Sequence, residues 1–170
     1  MPTTYSNLIW YTISGLLLLL VQLNLGYITV QGVAPDLLVI LIAVIALREG
    51  QFIGIIAAFM LGLAFDVISS NITGTNALAK VVAGFVIGHF YNEQLSLQQS
   101  IGTFRFLLIV AFGAAIHNLI FDFFYVQPTD LSLWSFFLRS GVAGTMYTVV
   151  VASLVMLVAA RKSGSATKSG

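Results

Sequence analysis

The stretch Val33–Ile68, VAPDLLVILIAVIALREGQFIGIIAAFMLGLAFDVI, is apolar almost throughout. As a single helix its roughly 36 residues would extend about 54 Å, against a bilayer hydrocarbon core of about 30 Å. The run must fold back on itself. The obvious break is Arg48-Glu49-Gly50, two charges followed by a turn-forming glycine. Folding there leaves a short segment, Asp36 to Leu47, and a longer one, Gln51 to Ile68. At about 12 residues the short segment either starts earlier, thins the bilayer locally, or is re-entrant and shielded by protein.

The rest of the chain repeats this character. Of its 170 residues 59% are hydrophobic and 8% charged, and mean hydropathy is +1.01; soluble domains carry about 25% charged residues. Leu8–Thr29, Ala77–Tyr91, Phe104–Tyr125 and Trp134–Ala160 are further apolar segments. Polar connections separate them at Ser69–Asn76, Asn92–Ser100 and Gln127–Asp130. Residues 1–160 therefore read as one all-α integral membrane domain, a six-helix transmembrane bundle whose second helix is short. The basic tail Arg161–Gly170, RKSGSATKSG, reads as disordered and cytoplasmic. The first segment lacks a basic leader and a small-residue cleavage site, so it is expected to stay as a helix. If six segments cross, Arg48, Arg105, Arg161, Lys162 and Lys168 gather at one side, five of the seven cations. The positive-inside tendency then puts both termini in the cytoplasm.

Charges inside apolar segments demand partners, because one such charge costs about 2.5–3.5 kcal/mol at mid-membrane. Gly54, Ala58, Gly62 and Asp66 recur every four residues, as do Asn76, Lys80, Gly84 and Gly88. Each charge thus sits on a ridge of small residues that lets helices approach closely. Matching depths make Asp66–Lys80 the expected ion pair, fixing the packing of the third and fourth helices. By the same economy Asp122 is expected to pair with Arg139. Asp36, after Pro35, suits a helix start and the macrodipole there; Asp130, with Thr129, reads as a cap for the last helix. His89 reads as interfacial, and His117 beside Asn118 as hydrogen-bonded core.

Chemistry finds little purchase. There is no cysteine, no basic stripe for nucleic acid, no HExxH, no GxSxG and no phosphate-binding glycine loop. Asp66 and Asp122 could form an intramembrane proteolytic dyad, but GLAFD lacks the second glycine of a GxGD pattern. No cofactor, metal or catalytic residue is expected.

Pro35-Asp36-Leu37-Leu38, Arg48-Glu49-Gly50, Gly54, Gly62 with Asp66, and Gly74-Thr75-Asn76-Ala77-Leu78, in that order, resemble the MreD family of rod-shape-determining membrane proteins. The resemblance implies a non-enzymatic scaffold of the bacterial cytoplasmic membrane that binds MreC. It also implies a place beside MreB, RodA and a penicillin-binding transpeptidase in lateral-wall peptidoglycan synthesis. The family is similar in turn to the six-helix substrate-binding subunits of energy-coupling-factor vitamin transporters, which supplies the competing reading. Against it, the first helix, LIWYTISGLLLLLVQLNLGYIT, lacks an alanine-spaced coupling ridge. Candidate exposed edges for a partner are Leu16–Leu20 on the first helix and Ser140, Gly144 and Thr148 on the last.

Overall fold

The computed structural model describes residues 5–25, 29, 33–69, 74–126 and 132–166. They form α1 (Tyr5–Asn24), α2 (Leu37–Glu49), α3 (Gln51–Ser69), α4 (Thr75–Gly88), α5 (Leu97–Ile101), α6 (Phe104–Val126), α7 (Leu133–Phe136) and α8 (Val142–Ala166). A π-helical turn, Phe137–Gly141, joins α7 to α8. Among the described residues, four stretches are long and apolar enough to cross a membrane: Asn7–Asn24, Gln51–Ser69, Phe104–Val126 and Leu133–Arg161. The chain is an all-helical membrane protein. α2 and α4, with 13 and 14 residues, are shorter.

α2 is the hub. Its sequence, LLVILIAVIALRE, is apolar on every side, and such a helix is stable only when surrounded. Leu38, Val39, Ile42, Ala43 and Ala46 are fully buried, and α1, α3, α4, α5, α6 and α8 all pack on it. The short segment is thus an inner helix walled by protein. It ends as the charged break predicts. Gly50 takes a φ of 92°, a left-handed conformation open chiefly to glycine, and its N–H donates to Ala46 O at 3.1 Å. α3 starts at the next residue and runs back along α2.

α3 and α4 form the tightest contact, antiparallel, through small residues. On α3 the buried positions are Gly54, Ala58, Gly62 and Asp66. A Cβ added at Gly62 would lie 2.6 Å from Ala77 Cα, one at Gly88 2.5 Å from Gln51 Cα, and one at Gly84 3.1 Å from Ala58 Cβ. Gly54 meets α2 instead, where a Cβ would lie 2.5 Å from that of Ala46. The backbones approach so closely that no side chain fits between them.

Two ends of the bundle can be told apart. One carries Arg48, Arg105 and Arg161 at the termini of α2, α6 and the last apolar segment, with α5 lying across it. The other carries Asp36, Asp66, Asn76 and the start of α7.

Several expectations change. α8 continues to Ala166, beyond the predicted end at Ala160, so the first part of the tail is helical; residues 167–170 lie outside those described. The Asn92–Ser100 connection contains the start of α5, closed by a capping box of Ser96 and Gln99. Thr129 and Asp130, expected to cap the last helix, also lie outside the described residues. The ridge of Gly144 and Thr148 is buried: Thr148 is 1% exposed and a Cβ at Gly144 would lie 3.3 Å from Asn118 Nδ2. Gly144 faces α6 and Thr148 the chain entering α2, so the ridge cannot serve as an outer edge. α1 remains one, with Leu16, Leu17 and Leu20 exposed.

Gly62→Val should cost about 1–3 kcal/mol through overpacking against the α4 backbone. Phe59→Ala, on the outward face of the same helix, should stay within about 0.5 kcal/mol. Thermal unfolding of the detergent-purified protein checks both, and equal melting temperatures would contradict the close α3–α4 approach.

Candidate functional site

The polar residues buried between the helices converge at one place. Lys80, in the second turn of α4, is 2% exposed, and its Nζ donates to Asp36 Oδ2 at 2.6 Å and to Asn76 Oδ1 at 2.9 Å. His117 Nε2 lies 3.1 Å from the same Asp36 oxygen and 3.4 Å from Nζ. The ring of Phe65 lies beneath the ammonium, its centroid 5.8 Å away. A buried cation is thereby given an anion, an amide oxygen, an imidazole and an aromatic face, which is how a charge survives in an apolar interior.

Asp36 has a second task. It is the N-cap of α2, its Oδ1 accepting the Val39 N–H at 3.0 Å. Pro35 therefore precedes the cap rather than opening the helix. The irregular chain entering α2 is held from both sides. Gln22 of α1 donates to Pro35 O at 3.1 Å and accepts from Leu37 N at 2.8 Å, while Thr148 Oγ1 of α8 accepts from Asp36 N at 2.9 Å.

Asp66 is occupied elsewhere. Its carboxylate, fully buried, accepts the N–H groups of Gly74 at 3.0 Å, Asn76 at 3.3 Å and Ala77 at 3.1 Å. Those are free amides at the start of α4, where the helix dipole also favours an anion. The expected Asp66–Lys80 pair is therefore corrected: Asp66 caps α4, and Lys80 pairs with Asp36 of α2. The ammonium meets the carboxylate of the hub, and α3 contributes the Phe65 ring to it rather than Asp66.

The expected Asp122–Arg139 pair is also absent among the described residues. Arg139 lies in the π-turn and is exposed. Asp122 is 5% exposed, and its Oδ2 has no hydrogen-bond partner among the described residues. The wide turn sets Gly141 against it, so close that a Cβ there would lie 2.8 Å from Oδ2. Asn118, one turn earlier, fastens the same turn by donating to Gly141 O and Thr145 Oγ1, each at 3.0 Å.

A second cluster was missed in the sequence. Glu49, with a side chain 6% exposed, accepts from Tyr11 OH at 2.6 Å and Asn7 Nδ2 at 3.2 Å, and lies 3.4 Å from Arg48 Nε. Arg48 donates to Asn7 Oδ1 at 3.0 Å and sits over the Tyr11 ring. Asn7 and Tyr11 are four apart on α1, and that spacing opposite a Glu was the available signal.

Lys80→Met should cost about 3–5 kcal/mol, because Asp36 is left buried and unpaired. Adding Asp36→Asn should recover much of that loss, since Asn still caps α2. Asp66→Asn combined with Lys80→Met should show no such recovery, because the lysine donates to Asp36 and Asn76 and not to Asp66. Melting temperatures of the three variants decide between the partners.

Comparison with known proteins places this geometry. Residues 1–158 match the family model described as rod shape-determining protein MreD. No curated protein matches the chain, and no solved structure does. With nearly its whole length covered, the chain belongs to the MreD family and has a part in rod shape determination.

Proposed function

We propose that the chain is a non-enzymatic scaffold of the bacterial cell-elongation complex. It binds MreC and supports lateral peptidoglycan synthesis alongside MreB, RodA and a penicillin-binding transpeptidase. The family match over residues 1–158 carries this reading. In it α1, α2, α3, α4, α6 and α8 each cross the cytoplasmic membrane, with α2 and α4 completed at one end by non-helical chain. The end bearing Arg48, Arg105 and Arg161 is cytoplasmic, in keeping with the positive-inside tendency, and both termini lie there.

The disposition of charge supports a scaffold. Lys80, Asp36 and Asp66 are engaged with one another's helices, and so hold the bundle together. α1 is the least enclosed of the membrane-length helices, with 11% of its apolar window buried. Its outward row of Trp10, Ile13, Leu17 and Leu20 is the surface for the single transmembrane helix of MreC, where association rests on close packing.

Depleting the protein should turn rods into spheres, and the tagged protein should bring MreC down from detergent extracts. Photo-crosslinkers at Ile13 or Leu17 should capture MreC, whereas the same group at Phe85, exposed on α4, should not. Tight vitamin binding with unaltered cell shape would overturn this reading in favour of a transporter subunit.

A further inference from the structure

A groove of ≈ 390 Å³ opens where α5 lies against residues 154–159 of α8. Leu97 and Ile101 of α5 line one side and Leu154, Val155 and Val158 of α8 the other; Gln98 is the one polar residue among those lining it. Leu154 and Val158 are 61% and 59% exposed, so the groove is open along α8. It lies at the very end of the membrane-length segment Leu133–Arg161.

Two cations follow its lining closely along the chain, Arg105 four residues after Ile101 and Arg161 two after Ala159. Gly102, just past α5, packs on the α8 backbone, where a Cβ would lie 3.2 Å from Ala160 N. That contact brings the start of α6, with Arg105, beside the end of the apolar part of α8, with Arg161. Both arginines are exposed, and neither forms an ion pair among the described residues. The connection from α4 to α5 carries one carboxylate, Glu93.

We propose that this groove seats an acyl chain of an anionic glycerophospholipid whose phosphate is held by Arg105 and Arg161. The apolar trough runs away from the two cations toward the membrane interior, matching the order of headgroup and chain in a lipid. Arginine suits a phosphate because its planar fork donates in pairs. The short helix α5 acquires a role from this, since its Leu97 and Ile101 form the wall that turns a flat helix face into a trough.

Native mass spectrometry of the full chain, released from mixed micelles of phosphatidylglycerol and phosphatidylethanolamine with matched chains, tests the assignment. The expected result is roughly tenfold or greater retention of the anionic lipid, from two interfacial cations. Arg105→Gln with Arg161→Gln should abolish that preference, and Arg105→Lys with Arg161→Lys should keep most of it. Val158→Trp, at an exposed position that does not disturb the core, should fill the trough and reduce retention of both lipids. Equal retention of the two lipids by the native chain, or an undiminished preference in the glutamine variant, would overturn the proposal. So would a dimer joined through Val158→Cys, which would assign the groove to a second copy.

Discussion

Two helices of this bundle end short, and in an apolar surrounding a helix that ends short must have its open backbone groups bonded by something. α2 and α4 span about 20 Å each at 1.5 Å per residue, against a hydrocarbon core of about 30 Å. Asn76 and Ala77 at the start of α4 and Leu38 and Val39 at the start of α2 are buried in protein and shut off from water, and an unsatisfied amide there costs several kcal/mol. Asp66 supplies acceptors for three amides at the start of α4, and Asp36, Gln22 and Thr148 supply partners around the start of α2. The buried carboxylates are first of all substitutes for water. Lys80 follows from them: a carboxylate brought inward to cap α2 is an uncompensated charge until a cation meets it, and Lys80 does so at 2.6 Å.

The capping geometry depends in turn on glycine. Asp66 reaches the first amides of α4 because Gly62, one turn earlier, lets α3 lie against Ala77 with no side chain between. A larger residue at 62 would push α4 outward and lengthen the three bonds that Asp66 accepts. The small-residue ridge and the charge at its end are one device, which explains why they share a four-residue spacing. The same logic holds at the other end of α2, where the left-handed turn at Gly50 returns the chain so abruptly that Gly54 packs on Ala46.

This division between what spacing reveals and what it conceals accounts for how much could be read beforehand. Segment positions, the break at Arg48-Glu49-Gly50 and the faces of α3 and α4 follow from periodicity, because hydropathy and four-residue recurrence report depth and side. Which helix stands opposite that face is another matter. Asp36 and Asp66 lie at matching depths, and only the placement of α2 at the centre decides that Lys80 belongs to Asp36. Glu49 was passed over because a charged pair before glycine already explained the break, leaving no residue of doubt to be settled by Tyr11. The π-turn at Phe137–Gly141 left no mark in FLRSG, since one extra residue in a turn does not disturb an apolar pattern; it nevertheless leaves Arg139 exposed and removes it as a partner for Asp122.

Because Asp36, Asp66 and Lys80 are turned toward neighbouring helices, recognition on the membrane face of α1 has to rest on shape. A partner helix meeting α1 finds leucine, isoleucine and tryptophan, surfaces hardly distinguishable in polarity from lipid tails, so contact there gains from close fit and from little else. Such a fit needs a wall that does not move. α1 touches the hub mainly through its two polar ends, Asn7 and Tyr11 on Glu49 and Gln22 on the entry to α2, with Gly15 admitting Leu61 between them. Hydrogen bonds at both ends of an otherwise lipid-facing helix fix its rotation as well as its position, and that fixed rotation keeps the same row of side chains turned outward.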